Sequence, residues 1–545
     1  MKRLVECVPG ILKTQDKATG RFGSQPWICR DQQVIFPLAA AWAIEEKTNP
    51  YYHSPDILDA IMKGGDYLIE QQDENGMWTF RKKDNSTWGQ TYMPWTYSRW
   101  IRAFYLIKDA MPPDRRARWE KALRFGYEGI SKKCLNSMHN IPTHHAMGLY
   151  FAGMCFNRED WKTQAKEFMA KVVAAQNPGG WWSEHSGPVV LYNFVYSDGL
   201  GTYYAASRDE TVRDALRRSA VFHAALTYPD GSPVETVDER NWYHKEIREG
   251  NVGFSVTPEG RGYLLHQFEL SKWHVDADSA ASFLLYGQTG ETAPIAADQA
   301  ENLTVIGKNE ALVFRKKPWF VCLSAFVCEP STSRWIQDRQ NFVSIYHDDA
   351  GLIGGGGNTK LQPFWSNFTV GDTSLLTHTP GDENPDFKPK GDLVHVPSAA
   401  TLRPDKTAPG LDLKYGAEDC RIAIQPKSDK ELTITCEATS NTEKSVEGHI
   451  TFIPHLNGNV KCASGKTIKL GKEAFEWQAA EIGAWVEHCG WRASVPPGAR
   501  LVWPKMLHNP YKKDGSSSLN EARMVMRLPF SKDTSRYEIT LEIVK

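Results

Sequence analysis

Four short stretches carry the residue types that move protons and stabilise developing negative charge. The 26 residues Gly179 to Tyr204, GGWWSEHSGPVVLYNFVYSDGLGTYY, hold Trp181, Trp182, Glu184, His185, Tyr192, Tyr196 and Asp198. NSMHNIPTHHAMGLYFAG places Asn140 ahead of the pair His144 and His145. PDGSPVETVDERNWYHKEIREG supplies Glu235, Asp238, Glu239, Arg240, His244 and Arg248. STSRWIQDRQNFVSIYHDDAGLIGGGGNTKLQPFW adds Arg334, Arg339, Gln340, Asn341, His347 and Lys360. The Gly run 354–357 lacks the GK[ST] ending of a phosphate loop, so it reads as a tight turn or a close backbone approach to a ligand.

Amide, imidazole and guanidinium groups together hold a carboxylate and stabilise the charge that develops when the carbon α to it loses a proton. A Tyr beside them can take that proton or return one to a leaving oxygen. That set suits β-elimination at a uronic acid, which calls for no metal and no nucleotide. Trp beside Gly, Asn and Arg reads as a ring platform for a sugar face, as at Trp181 and Trp182 or at Trp95 with Arg99 in STWGQTYMPWTYSRW. Each feature also has a plainer reading: an N-cap for Asn140, a solvated loop for 235–248, core packing for the Trp. Two other functions compete with elimination. One is glycoside hydrolysis by a carboxylate pair such as Asp198 with Glu235 or Glu184. The other is glycan binding without catalysis.

The elements that must position these groups fall into two halves. Up to about residue 300, apolar residues recur at three- and four-residue spacing, as in PDILDAIMKGGDYLIEQQ, DRRARWEKALRFGYEGISKK, WKTQAKEFMAKVVAAQ and ETVRDALRRSAVFHAALTY. Gly76, Gly180 and Gly231 punctuate the helix ends 104 and 51 residues apart, and Gly129 falls near the middle of the longer gap. A helical-hairpin repeat of about 52 residues fits, closing into an α/α toroid. Beyond a boundary at 295–305, short alternating stretches such as ELTITCEATS and RYEITLEIVK predict an antiparallel β-sandwich. The expected domains are therefore 1–300 and 301–545, with 371–416 a long surface excursion.

A formal net charge of −1 without basic runs excludes a general nucleic-acid or anionic-membrane binder, so an anionic partner needs a local positive patch. The ten Cys lack CxxC or CxxH spacing, which argues against a zinc site; no metal or cofactor is expected. The basic N-terminus is not followed by the apolar run of a signal peptide, so the chain reads as cytoplasmic, or as a mature form whose leader has been removed. Oligomeric state is left open.

Helical hairpins followed by a sandwich, an early Asn and His motif, and a GP…Tyr element after GGWWSEH together resemble the toroidal polysaccharide lyases: the heparinase II/III-like, alginate and chondroitin/hyaluronate lyase families. The resemblance implies an enzyme that cleaves an anionic, uronic-acid-containing polysaccharide of glucuronan, alginate or glycosaminoglycan type. It assigns Tyr196 as the proton-transfer Tyr, with Tyr192 one helical turn earlier as the rival. Asn140, 45 residues before His185, matches the carboxylate-neutralising Asn, and Arg240 the family's Arg. His144 and His145 compete with His185 for the imidazole role, and Glu184, Trp181, Trp182, Trp95, Arg99 and Arg339 are expected to hold substrate. The Gly-His-x-His stretch of heparinase-type members is absent, with Arg339 or His347 as stand-ins.

Overall fold

A computed structural model describes residues 1–24, 31–81, 85–376, 382–383, 385–439 and 441–544. The chain divides into two compact units that exchange segments. The first comprises Met1–Gln176, Leu191–Val221 and Glu249–Ala293; the second comprises Asn177–Val190, Phe222–Arg248 and Pro294–Lys545. The boundary expected at 295–305 lies beside the last of these switches, but two earlier segments also belong to the second unit.

The first unit is helical: α1 (Lys2–Leu12), α2 (Ile35–Ala43), α3 (Pro55–Gln71), α4 (Pro94–Ile107), α5 (Pro113–Lys133), α6 (Asn140–Phe156), α7 (Glu159–Ala174), α8 (Val190–Ser207), α9 (Arg213–Ala225), α10 (Pro258–Leu270) and α11 (Ala277–Tyr286). Helices α3, α4, α5 and α10 each start on a Pro, whose fixed φ and missing N–H suit the first turn. Asp276 caps α11 by accepting from Ser279 N at 2.7 Å. Helix α6 ends on Asn157 in the left-handed region at φ 53°.

Neighbouring inner elements form a closed ring. Helix α2 packs on α4, α4 on α6, and α11 returns to α2. Helices α6 and α8 run parallel: an added Cβ at Gly199 would stand 2.9 Å from Thr143 Cγ2, and the Tyr203 ring meets Tyr150 edge-on at 5.1 Å. From α8 the ring passes through the turn Val252–Val256 to α11. Inner helices accordingly bury nearly every face, as α2 and α6 do, whereas the outer α5 and α7 bury one stripe each. The Arg102 guanidinium lies 3.9 Å from the centre of the Phe36 ring and 5.7 Å from that of Tyr286, joining α4 to α2 and α11 by cation–π attraction.

The predicted helices are all present, and Gly76, Gly180 and Gly231 have positive φ of 78°, 91° and 82° in the turns that follow them. Gly129 is different: it lies inside α5 and punctuates nothing. A hairpin, Trp78–Arg81 with Thr87–Thr91, precedes α4.

The second unit is a sandwich of antiparallel sheets, nine- and ten-stranded among the described residues. Strands Glu418–Ser428 and Glu431–Thr439 alternate buried and open positions, whereas Trp319–Ser324 is buried throughout. Ile422, Ile434 and Ile539 from one sheet share a core with Val321, Phe452 and Met524 from the other. Residues 377–381 and 384 of the expected excursion lie outside the described residues; its later part forms the strands Ala399–Arg403 and Gly410–Tyr415.

The passage from α8 to the turn at 252–256 is tightly packed. A Cβ on Gly201 would stand 2.2 Å from Gly253 Cα, and backbone cannot swing aside as a side chain can. Gly201→Ala should therefore destabilise the protein by about 1–3 kcal/mol in urea unfolding, despite the better helix propensity of Ala.

Candidate active site

In the first unit, α6 and α8 bring together most of the early candidates. His144 Nε2 lies 3.5 Å from Asp198 Oδ2. Given the parallel packing of Thr143 on Gly199, one turn back toward the N-termini places Asn140 level with Tyr196. Tyr196 is 2% exposed, while Tyr192, a turn earlier, is half-buried. Asn140 is the first residue of α6 rather than its cap, which is His139. The residue is 6% exposed, its carboxamide makes no hydrogen bond among the described residues, and its polar atoms are not sealed from solvent.

His144 and His145 are 1% and 4% exposed. Burial holds both imidazoles down to about 3; Arg99 and Arg102 add to the effect at His144, and His139 does at His145. Both rings are thus neutral at ordinary pH, and both Nδ1 atoms are buried without a hydrogen bond. Neutral imidazoles supply dipoles or a lone pair, not a cation.

A cavity of about 230 Å³ opens in this unit between Trp95, Arg99, His144, Asp198, Asp276 and Asp278. The Trp95 ring lies 5.8 Å from the His144 ring, tilted 38° to it. Arg99 departs from expectation. Its Nε and Nη2 donate to the two carboxylate oxygens of Asp278 at 2.7 and 2.6 Å, so the guanidinium already has its anion. Burial pushes the Asp198 carboxyl up, against the pull of Arg102 and Arg99.

The second unit places His185 on the turn 183–188, where Glu184 N donates to Gly187 O at 3.0 Å. The His185 side chain is 40% exposed, and its Nδ1 lies 2.7 Å from Oε1 of the fully buried Glu239. The other Glu239 oxygen accepts from the backbone N–H of His185 and Ser186 at 3.3 and 2.6 Å. A proton on Nδ1 pointing into this carboxylate leaves Nε2 as the basic, outward nitrogen, the orientation a general base requires. Arg240 Nη2 lies 3.9 Å from Glu184 Oε1, and its Nε donates to Trp335 O at 3.3 Å. Burial raises the Glu184 carboxyl, with Arg240 opposing.

Other candidates turn out to be structural. Trp181 and Trp182 are 6% and 2% exposed, and Trp181 Nε1 donates to Glu310 Oε2 at 2.7 Å, so neither offers a ring face to a sugar. Arg339 is 1% exposed, and its Nη1 donates to the Val237 and Asp238 carbonyls at 2.9 and 2.8 Å, bracing that backbone instead of meeting substrate. Neither stand-in for the missing His motif is available, since the His347 ring packs on Trp319 at 4.6 Å and its Nε2 faces Asp429 O. Glu235 is likewise committed, with Oε1 on Gly356 N and Oε2 on Tyr228 Oη, both at 2.9 Å. The Gly run meets protein: Gly355, Gly356 and Gly357 all have positive φ, and a Cβ on Gly356 would stand 2.0 Å from Arg523 Nε.

Two residues with open aromatic surface in the second unit were not singled out from sequence. Trp335 is 37% exposed with the Arg240 guanidinium 5.4 Å from its ring centre, and Tyr511 meets it edge-on at 5.6 Å. Tyr511 Oη also donates to Asn241 Oδ1 at 3.0 Å. Trp335 stood within a quoted motif, SRWIQDR; Tyr511, about 175 residues later in an ordinary polar loop, left no comparable signal. Among the described residues, no group of three or more His, Cys, Asp or Glu is arranged to hold a metal ion.

The neutral histidines carry a pH signature. Unfolded, each imidazole takes a proton near 6.5; folded, His144 and His145 refuse it until about 3. Their contribution is therefore whole above pH 6.5 and drains away as pH falls toward 3, by about 1.4 kcal/mol per pH unit for each ring. Urea unfolding between pH 7 and 5 should show a steeper loss for the native chain than for His145→Gln; equal slopes would contradict the assignment.

No protein-family model and no curated protein matches the sequence. Solved structures do match. A xanthan lyase from Paenibacillus aligns at TM-score 0.57 and 11% identity, over 100% of this chain and 57% of the other, so this chain spans little more than half the length of that enzyme. Heparinase III aligns at 0.56 and 12%, over 97% of this chain and 80% of that one. A chondroitinase AC lyase aligns at 0.54 and 12%, over 100% and 81%. The chain has the fold of these polysaccharide lyases, an α/α toroid with an antiparallel β-sandwich.

Proposed function

We propose that this protein is a polysaccharide lyase that cleaves a uronic-acid-containing chain by β-elimination without a metal ion. The observation that carries the reading is Asn140, whose carboxamide has no hydrogen bond among the described residues, level with Tyr196 in a fold shared with a xanthan lyase, a chondroitinase AC lyase and heparinase III. An amide left to solvent rather than to a protein group can be satisfied by a ligand. The C6 carboxylate of a uronic acid would do so, and the bond would lower the barrier to losing the proton at C5.

In this reading Asn140 and the neutral His145 spread the charge that develops on the carboxylate, and Tyr196 exchanges the proton with C5 or the glycosidic oxygen. Tyr192 and His144 line the approach. In the second unit, His185, held by Glu239, and Arg240, beside the Trp335 and Tyr511 rings, suit the grip of an anionic sugar. Glucuronan, alginate and glycosaminoglycans are the substrates to try.

The hydrolase reading keeps Asp198 and Glu184 but loses Glu235, whose two oxygens are already bonded. The two chemistries leave different products. Elimination creates a C4–C5 double bond that absorbs in the ultraviolet; hydrolysis creates reducing ends alone. On a panel of uronans, ultraviolet absorbance should rise with the native protein, and Tyr196→Phe should slow it by roughly 10²-fold or more while the fold is kept. Tyr192→Phe should have a smaller effect. Reducing ends without the chromophore, abolished by Asp198→Asn, would establish hydrolysis instead.

A further inference from the structure

The first-unit cavity has a charge balance that an anion-binding pocket would not have. Three carboxylates, Asp198, Asp276 and Asp278, line it with one guanidinium, Arg99, whose Nε and Nη2 donate to Asp278 and whose Nη1 donates to Trp95 O at 3.3 Å. Arg102, the other cation near Asp198, is 2% exposed and lies against the Phe36 and Tyr286 rings, outside the cavity wall. His144 brings no positive charge. It is 1% exposed, forms part of the wall and keeps an Nδ1 with no hydrogen bond. Among the described residues neither Asp198 nor Asp276 makes a direct ion pair with Arg or Lys, although Arg99 acts on both through space and Arg102 on Asp198. The Asp198 side chain is 25% exposed, with Oδ2 3.5 Å from His144 Nε2, while Asp276 caps α11 through Ser279 N. Trp95 supplies an aromatic wall beside them.

Carboxylates unmatched by cations accept hydrogen bonds from hydroxyl groups and repel anions, and an aromatic wall favours the apolar face of a sugar ring. We propose that this cavity receives an uncharged, hydroxyl-bearing sugar residue of the substrate and rejects sulfate esters, so that the enzyme selects unsulfated stretches of its polymer. Sulfate there would face Asp198 and Asp276, with the one guanidinium of the lining already paired with Asp278. Selectivity would come from this repulsion as much as from the contacts made to the accepted sugar. The inference rests on the polysaccharide-lyase reading.

Matched polymer pairs test it: chondroitin against chondroitin sulfate, and heparosan against heparan sulfate, followed by ultraviolet absorbance. The unsulfated member of a cleaved pair should have a kcat/KM at least about tenfold higher. Asp198→Asn and Asp276→Asn should each narrow that ratio several-fold by improving the sulfated member; Asn still caps α11, so the second variant keeps the helix start. Circular dichroism confirms that the variants are folded. A sulfated member cleaved equally well or better, or a ratio unmoved in both folded variants, would overturn the proposal. If no polymer gives the chromophore, the lyase reading falls by itself. The pocket is then judged by calorimetry with unsulfated and sulfated hexasaccharides of the same backbone: tighter binding of the unsulfated one supports it, and equal, reversed or absent binding refutes it.

Discussion

Much in the first unit depends on the two-pronged bond between Arg99 on α4 and Asp278 at the start of α11. It ties two inner helices that lie about 180 residues apart in sequence, and it does so at the edge of the cavity. A guanidinium with both outward donors on one carboxylate is strongly oriented, and removing either partner would leave the other charge partly buried and uncompensated. The same bond sets the sign of the cavity. With Arg99 spent, the wall presents carboxylate rather than cation, and α6 and α8 contribute a neutral imidazole and a half-open acid to it. The character of the pocket is set in large part by this ion pair.

Buried Glu239 organises the second unit in a comparable way. One carboxylate gathers two backbone N–H groups of the 183–188 turn and the His185 ring, so the loop and its imidazole are held by a single buried anion. Arg339 braces the backbone just before Glu239 through two carbonyls, which is why a residue expected to touch substrate is found inside. Trp181 and Trp182 follow the same logic, since the loop that presents His185 needs an apolar anchor, and two buried Trp rings supply it.

Much of the fold was legible along the chain. Three- and four-residue spacing marked the helices, two-residue alternation marked the sandwich strands, and Gly76, Gly180 and Gly231 marked turns because only Gly adopts their backbone cheaply. The rule misled at Gly129, where Gly serves helix packing, and sequence cannot separate a glycine that turns from one that makes room. The candidate site was legible in type. Asn140, His145, Tyr196, His185 and Arg240 stand in distinctive stretches, and their chemistry follows from side-chain identity alone.

Partnership was not legible, because it depends on which charges meet across elements far apart in sequence. Arg99 looks like a cation for substrate until Asp278 is seen holding it; Glu235 looks like a catalytic acid until Tyr228 and Gly356 fill its oxygens. Trp335 and Tyr511 join only through the fold. The sequence by itself determined the helical and strand halves and the kinds of group available for chemistry, since periodicity and side-chain identity are local. Only the tertiary structure decided which of those groups are neutral, which are already paired and which remain uncommitted, because solvation and charge balance depend on the whole surroundings of an atom.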